Sequence, residues 1–161
     1  MISKKLQDAI NKQINAEMWS ANLYLSISYF FAKEGFEGFA NWMKIQYEEE
    51  MEHACKLADY LIVREGTVLI DRLDVVPTGW GDPSEVFEHT FEHEKRVSRM
   101  INELVAIAIE EKDKATEDFL SWFVNEQIEE EATARSILKK LKIVGNTGGL
   151  YVLDAEMKQR K

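Results

Sequence analysis

The chain reads as an all-α protein: a four-helix bundle with one long crossover between its second and third helices, and a short fifth helix near the C-terminus. Three observations predict it. Apolar residues recur in alternating steps of three and four along four long segments, which is the period of one helix face. Only 2 prolines occur, so almost nothing interrupts those segments. The first and third connections are short, whereas the second is long. With 161 residues, the chain is expected to form one domain over 1–161, with the bundle at about 3–144 and the last helix at about 148–158.

The first helix should run from near Ser3 to about Lys33, closed by Glu34-Gly35. Its inward line is Leu6, Ile10, Ile14, Glu17, Ala21, Tyr24, Ser28 and Phe31. The second runs from about Glu37 to Arg64 and stops at Gly66, with Phe39, Met43, Gln46, Glu50, His53, Leu57 and Leu61 inward. The third has the clearest start, because Asp82-Pro83-Ser84-Glu85 supplies an N-cap, a proline at the first helical position and a third-position glutamate. It carries Phe87, Thr90, Glu94, Val97, Ile101 and Leu104 inward and ends around Lys112. A tight link near Asp113 leads to the fourth helix, which reaches about Ile143 and stops at Gly145. Its inward line is Leu120, Phe123, Gln127, Glu130, Ala134, Ile137 and Leu141. Beyond Asn146-Thr147-Gly148-Gly149, the apolar Leu150, Tyr151, Leu153 and Met157 mark a fifth helix. A short apolar helix outside a complete bundle needs a partner, so it is expected to serve assembly or else to dock on its own subunit.

Loop lengths set the topology. Short links make helices one and two, and helices three and four, antiparallel neighbours. The segment from Gly66 to Gly81 contains an extended apolar stretch, Thr67-Val68-Leu69-Ile70. A helix of about 28 residues is roughly 42 Å long, and about 16 extended residues reach roughly 53 Å. This loop can therefore run the length of the bundle and start the third helix from the opposite end.

Composition narrows the function. A formal net charge of −9 argues against nucleic acid as a partner. No apolar run is long enough to span a membrane. Lys4, Lys5, Asp8, Lys12 and Glu17 break any signal-peptide core in the first twenty residues, so a cytoplasmic address is expected. Cys55 is the single cysteine, which excludes an intrachain disulfide; a small packing residue near the site is expected there.

The chemistry lies in four glutamates, Glu17, Glu50, Glu94 and Glu130, one on the core line of each long helix. A bare buried carboxylate costs several kcal/mol even after relaxation, so it must be paired, protonated or metal-bound. The inward lines carry too few cations to pair with four. Glu50 and His53, three apart, point from one helix face and can hold one ion through oxygen and nitrogen. A donor set dominated by carboxylates suits iron and related divalent ions better than structural zinc. One Glu-x-x-His helix with single glutamates from others is the di-metal carboxylate arrangement of helical bundles.

Several stretches carry a family resemblance: Glu17 with Tyr24, Glu49-Glu50-Met51-Glu52-His53, His93-Glu94, the run from Phe119 to Gln127, Glu129-Glu130-Glu131, and Gly148-Gly149-Leu150-Tyr151. Over essentially its whole length the chain resembles the ferritins, most closely the bacterial non-haem ferritins. That resemblance implies a ferritin-like bundle and a hollow shell of 24 subunits that oxidises Fe(II) with O2 or peroxide and stores a ferric mineral. It implies a di-iron centre, with Glu17, Glu50 and His53 at the first iron and Glu50, Glu94 and Glu130 at the second. Glu50 bridges and Gln127 is a polar neighbour. A third, weaker site is implied at Glu49, Glu126 and Glu129, sharing Glu130. Tyr24, two turns along the face of Glu17, is either an electron donor or a core aromatic, and Trp122 is read the same way. Glu48, Glu52 and Glu131 are assigned to a solvated acidic face.

The chain also departs from related patterns. Thr133 stands where bacterioferritins carry a second Glu-x-x-His histidine, so the second iron lacks an imidazole. Met51 matches their haem-ligating methionine, which keeps a haem-binding, bacterioferritin-like protein as an alternative. A di-iron peroxidase or oxygenase and a metal-free helical interaction protein are the other two. His89 and His93, four apart, are read as polar residues beside the core or as a surface metal pair.

Overall fold

In the computed structural model, which describes residues 1–161, the chain folds into α1 (Lys4–Lys33), α2 (Glu37–Val63), α3 (Pro83–Glu110), α4 (Lys114–Val144) and α5 (Gly149–Met157), with no strand. α1 packs along α2, α3 along α4, and α1 also meets α3. Every residue of the four expected inward lines is buried. No helix is long and apolar enough to cross a membrane.

Side chains cap three of the long helices at their start. Ser3 Oγ accepts from the Leu6 N–H at 3.2 Å, Asp82 Oδ1 from Glu85 at 2.9 Å, and Asp113 Oδ1 from Thr116 at 3.0 Å. Three helices also close the same way at their ends, through Phe36 N–H to Phe31 O at 2.9 Å, Gly66 to Leu61 at 2.8 Å, and Asp113 to Ala108 at 2.9 Å. The residue before each donor is left-handed: Gly35 at φ 86°, Glu65 at φ 61° and Lys112 at φ 55°. The turn that ends α2 thus falls on Glu65 rather than on Gly66. Gly66 sits at a close approach instead, where a Cβ would lie 2.9 Å from Leu61 Cδ2 and 3.2 Å from Leu61 O.

The crossover is bound to α1 by a ladder of side-chain amides. Gln7 Oε1 accepts from Thr67 N–H at 2.9 Å. Asn11 donates to Thr67 O at 2.8 Å and accepts from Leu69 N–H at 2.7 Å. Asn15 does the same for Leu69 O and Asp71 N–H, at 2.8 and 2.9 Å. Four helical residues rise about 6 Å, and two extended residues about 6.6 Å. The two periods match, so one polar stripe on α1 satisfies an extended backbone that has no sheet partner.

α5 docks on its own chain. Leu150, Leu153 and Met157 are buried in the core that contains Phe31, Phe39 and Trp42. Asp154 Oδ1 accepts from Phe39 N–H at 2.9 Å, the cap that α2 lacks from its own N-terminal side chain. The approach is so close that a Cβ on Gly38 would lie 1.6 Å from Asp154 O. Tyr151 and Val152 face outward and are exposed.

The core has two apolar halves. One gathers Phe31, Phe39, Phe87 and Leu141; the other gathers Leu6, Leu57, Ile101 and Leu120. Neither half contains the buried polar residues Glu17, Gln46, Glu50, His53, Glu94, Gln127 and Glu130. On each long helix these polar residues fall between the apolar residues of the two halves, near mid-length.

Candidate metal centre

α1 brings Glu17 to this band, α2 Gln46, Glu50 and His53, α3 Glu94, and α4 Gln127 and Glu130. Ligand atoms of Glu17, Glu50 and His53 lie within 4.8 Å of one another, and all three residues are buried. A second cluster of the same compactness joins His53, Glu126 and Glu130. His53 links the two, with Nδ1 3.4 Å from Glu50 Oε2 and Nε2 3.8 Å from Glu126 Oε1.

The hydrogen bonds leave a telling remainder. Gln13 Nε2 donates to Glu17 Oε1 at 2.8 Å, and Gln46 Nε2 to Glu50 Oε1 at 3.4 Å and to Glu130 Oε2 at 2.7 Å. Glu17 Oε2 and Glu50 Oε2 are buried without a hydrogen-bond partner. Two orphaned carboxylate oxygens beside an imidazole are a donor set for a cation, and buried polar atoms are otherwise almost always satisfied.

Glu94 belongs to neither cluster, although it lies on the expected line. The Tyr24 hydroxyl donates to its Oε1, and Gln127 Nε2 donates to its Oε2 at 3.1 Å. Glu49 and Glu129 also fall outside both clusters. Glu49 Oε2 is 2.8 Å from Arg160 Nη2, and Glu129 is exposed. Arg160 had no signal in the sequence, because it is one of three cations in the last four residues and belongs to no periodic pattern.

Electrostatics follow from burial. Desolvation, then the charges of Glu94 and Glu17, push Glu50 well above the usual carboxylate range. Desolvation raises Glu94 to about 7, against the opposing hydrogen bonds from Tyr24 and Gln127. Desolvation followed by the charge of Glu94 raises Glu130 to about 8. Burial also raises Glu126, and it pushes the Tyr24 hydroxyl well above 10. Carboxyls that hold protons near neutrality exchange them for a cation without leaving bare charge in the core.

Other expected residues find different surroundings. Cys55 is exposed and is no packing residue, because it lies two steps beyond His53 and so about 200° around α2. Trp122 is 40% exposed and not a core aromatic; its ring meets His53 edge-on at 5.5 Å, and Lys56 Nζ lies 3.4 Å over it. His93 is buried with Nε2 2.9 Å from Ser20 Oγ, and burial lowers it to about 4. His89 is exposed against Trp80, and neither histidine belongs to either of the two clusters. Glu48 and Glu52 are solvated as expected, whereas Glu131 is half-buried and accepts from Ser98 Oγ at 3.0 Å. Met51 is half-buried and Thr133 exposed.

A crossover bundle with glutamates and one Glu-x-x-His between two apolar halves defines the class of ferritin-like carboxylate proteins. A family model described as "Ferritin-like domain" matches residues 7–144. The chain is 60% identical to a bacterial non-haem ferritin of Bacteroides fragilis over 99% of its length and 100% of the relative's. It is 38% identical to that of Campylobacter jejuni over 98% of its length and 95% of the relative's. In structure it matches an open-pore ferritin from the hyperthermophilic archaeon Archaeoglobus fulgidus with a TM-score of 0.98, at 45% identity and full coverage of both chains. The chain belongs to the ferritin family, on the side of its bacterial non-haem members. Membership implies iron storage, and the glutamate–histidine clusters are able to hold a metal ion.

Proposed function

We propose that the protein oxidises Fe(II) at this intrasubunit centre and that 24 copies form a hollow shell retaining the Fe(III) as mineral. The observation that carries the reading is the pair of buried, unpartnered oxygens, Glu17 Oε2 and Glu50 Oε2, in one compact cluster with His53. Glu17, Glu50 and His53 bind one Fe(II); Glu50, Glu94 and Glu130 bind the second, with Glu50 shared and Gln127 holding Glu94. Glu49, Glu126 and Glu129, with Glu130, form a weaker third position.

Fe(II) enters as substrate and displaces the protons on Glu50, Glu94 and Glu130. Hard carboxylate oxygens then favour the more highly charged product ion. Each iron gives up one electron, so two side by side satisfy a two-electron oxidant such as O2 or peroxide. The Tyr24 hydroxyl, held on Glu94, lies where it can donate a further electron and proton. A cavity of about 280 Å³ beside α1 and α3 is lined by Trp19, Ser20, His93 and Arg96 and by none of these ligands, which favours ions over an organic substrate.

The test is aerobic Fe(II) loading of metal-free protein, then sizing and an iron count per particle. Hundreds of ferric ions in a large soluble particle support storage. Oxidation without retention would make it a di-iron enzyme of another purpose, and neither would return the glutamates to a structural role.

A further inference from the structure

Arg160 reaches the centre from outside the bundle. Its guanidinium donates to Glu49 Oε2 at 2.8 Å, Gln46 Oε1 at 3.1 Å and Trp42 O at 3.1 Å, and it lies over the Trp42 ring at 4.3 Å. The backbone is pinned as well, because Asn41 Nδ2 donates to Arg160 O at 3.1 Å. Guanidinium groups only donate, so Gln46 must present Oε1 to Arg160. That leaves Nε2 for Glu130 at 2.7 Å and Glu50 at 3.4 Å. One tail residue thus sets an amide at the heart of the cluster and occupies a carboxylate at its edge.

We infer that Arg160 is a positioning residue that holds Glu49 out of the weakest cation position, so that filling this position requires the Arg160–Glu49 pair to break. This rests on the metal reading given above. The pair is only partly buried, with the two side chains 21% and 36% exposed. Such a contact is weak enough for a divalent cation to displace and strong enough to lower its affinity about three- to fivefold.

Zn(II), which undergoes no redox change, is the probe, titrated by calorimetry into assembled metal-free protein. Wild-type protein should show a tight class of sites that Glu50→Ala abolishes, and a weaker class. Arg160→Gln should tighten the weaker class about three- to fivefold, and the gain should vanish when Glu49→Gln is also present. Arg160→Lys, which keeps a cation opposite Glu49, should stay within about twofold of wild type. An unmoved or weakened class in Arg160→Gln overturns the inference. So does a gain that survives Glu49→Gln, or one that Arg160→Lys shows equally, since any loosening of the tail would produce that. If no Glu50-dependent class exists at all, the metal reading itself fails, a result distinct from intact tight sites beside an unmoved weak class.

Discussion

The Tyr24 hydroxyl donates to Glu94 Oε1, tying α1 to α3 inside the core. The bond stabilises the ionised form of Glu94, whose burial pushes it the other way, to about 7. Tyr24→Phe removes the donor and should raise Glu94 further. Cation uptake at pH 7 should weaken and recover above about pH 8, while the fold stays intact. Zn(II) isotherms at the two pH values check this; an equal deficit at both would assign Tyr24 a packing role alone.

Stability of the metal-free protein should fall as pH rises. Glu94 at about 7, Glu130 at about 8 and Glu50, also raised, keep protons in the folded state that the unfolded chain has already lost above about 4.5. Their stabilising linkage is fully present below about 4.5 and disappears as pH passes 7 and 8. Thermal unfolding at about pH 5.5 and about pH 8.5 should give the higher midpoint at the lower pH, and Zn(II) should reverse the order. A midpoint independent of pH would contradict the raised values.

The four inward lines were legible because helical period and burial are the same information: each apolar position on them also places its neighbours, Glu17 and Glu50 included. The crossover's direction was legible from length. Its attachment was not, because Gln7, Asn11 and Asn15 lie on a polar face whose partner is an extended backbone with no side-chain signature. Glu94 was placed on the correct line, but its engagement by Tyr24 and Gln127 depends on interhelical distances that periodicity does not encode. Arg160 and Asp154 act across more than a hundred residues, on α2, and no local pattern announces either contact.

Glu50→Ala should abolish rapid Fe(II) oxidation while leaving the helices in place. It removes the carboxylate shared by both iron positions, together with one of the two orphaned oxygens. Stopped-flow absorbance during aerobic iron addition measures the rate, and circular dichroism the helicity. A wild-type rate in this variant would place oxidation elsewhere on the protein.

Lys112→Gly should stabilise the protein by about 0.5–1 kcal/mol. Lys112 is left-handed at φ 55°, where a side chain costs about 1–2 kcal/mol that glycine avoids, less about 0.5–1 kcal/mol for the greater freedom glycine has when unfolded. The midpoint of thermal unfolding should rise. A fall would mean that the side chain makes contacts outweighing its backbone strain.

Asp113 joins the end of α2 to the start of α4 by two functions of one carboxylate. Oδ2 pairs with Arg64 Nη2 at 2.8 Å, while Oδ1 caps Thr116 N–H at 3.0 Å and accepts from Arg64 Nη1 at 3.1 Å. The Arg64 guanidinium, chiefly, holds the carboxyl down at about 2, below its ordinary 3.8. A depressed carboxyl contributes stability that is present above 3.8 and lost as pH falls through 2, opposite in sign to Glu94 and Glu130. Asp113→Ala should cost about 1–3 kcal/mol near neutrality, from the lost cap and from Arg64 left without its carboxylate. Asp113→Asn keeps a capping oxygen and should recover part of that loss. Against wild type, the deficit of Asp113→Ala should hold level from about pH 4 upward and shrink below it, in denaturation measured across that range. A deficit unchanged down to about pH 2 would mean that Asp113 acts through packing rather than through its charge.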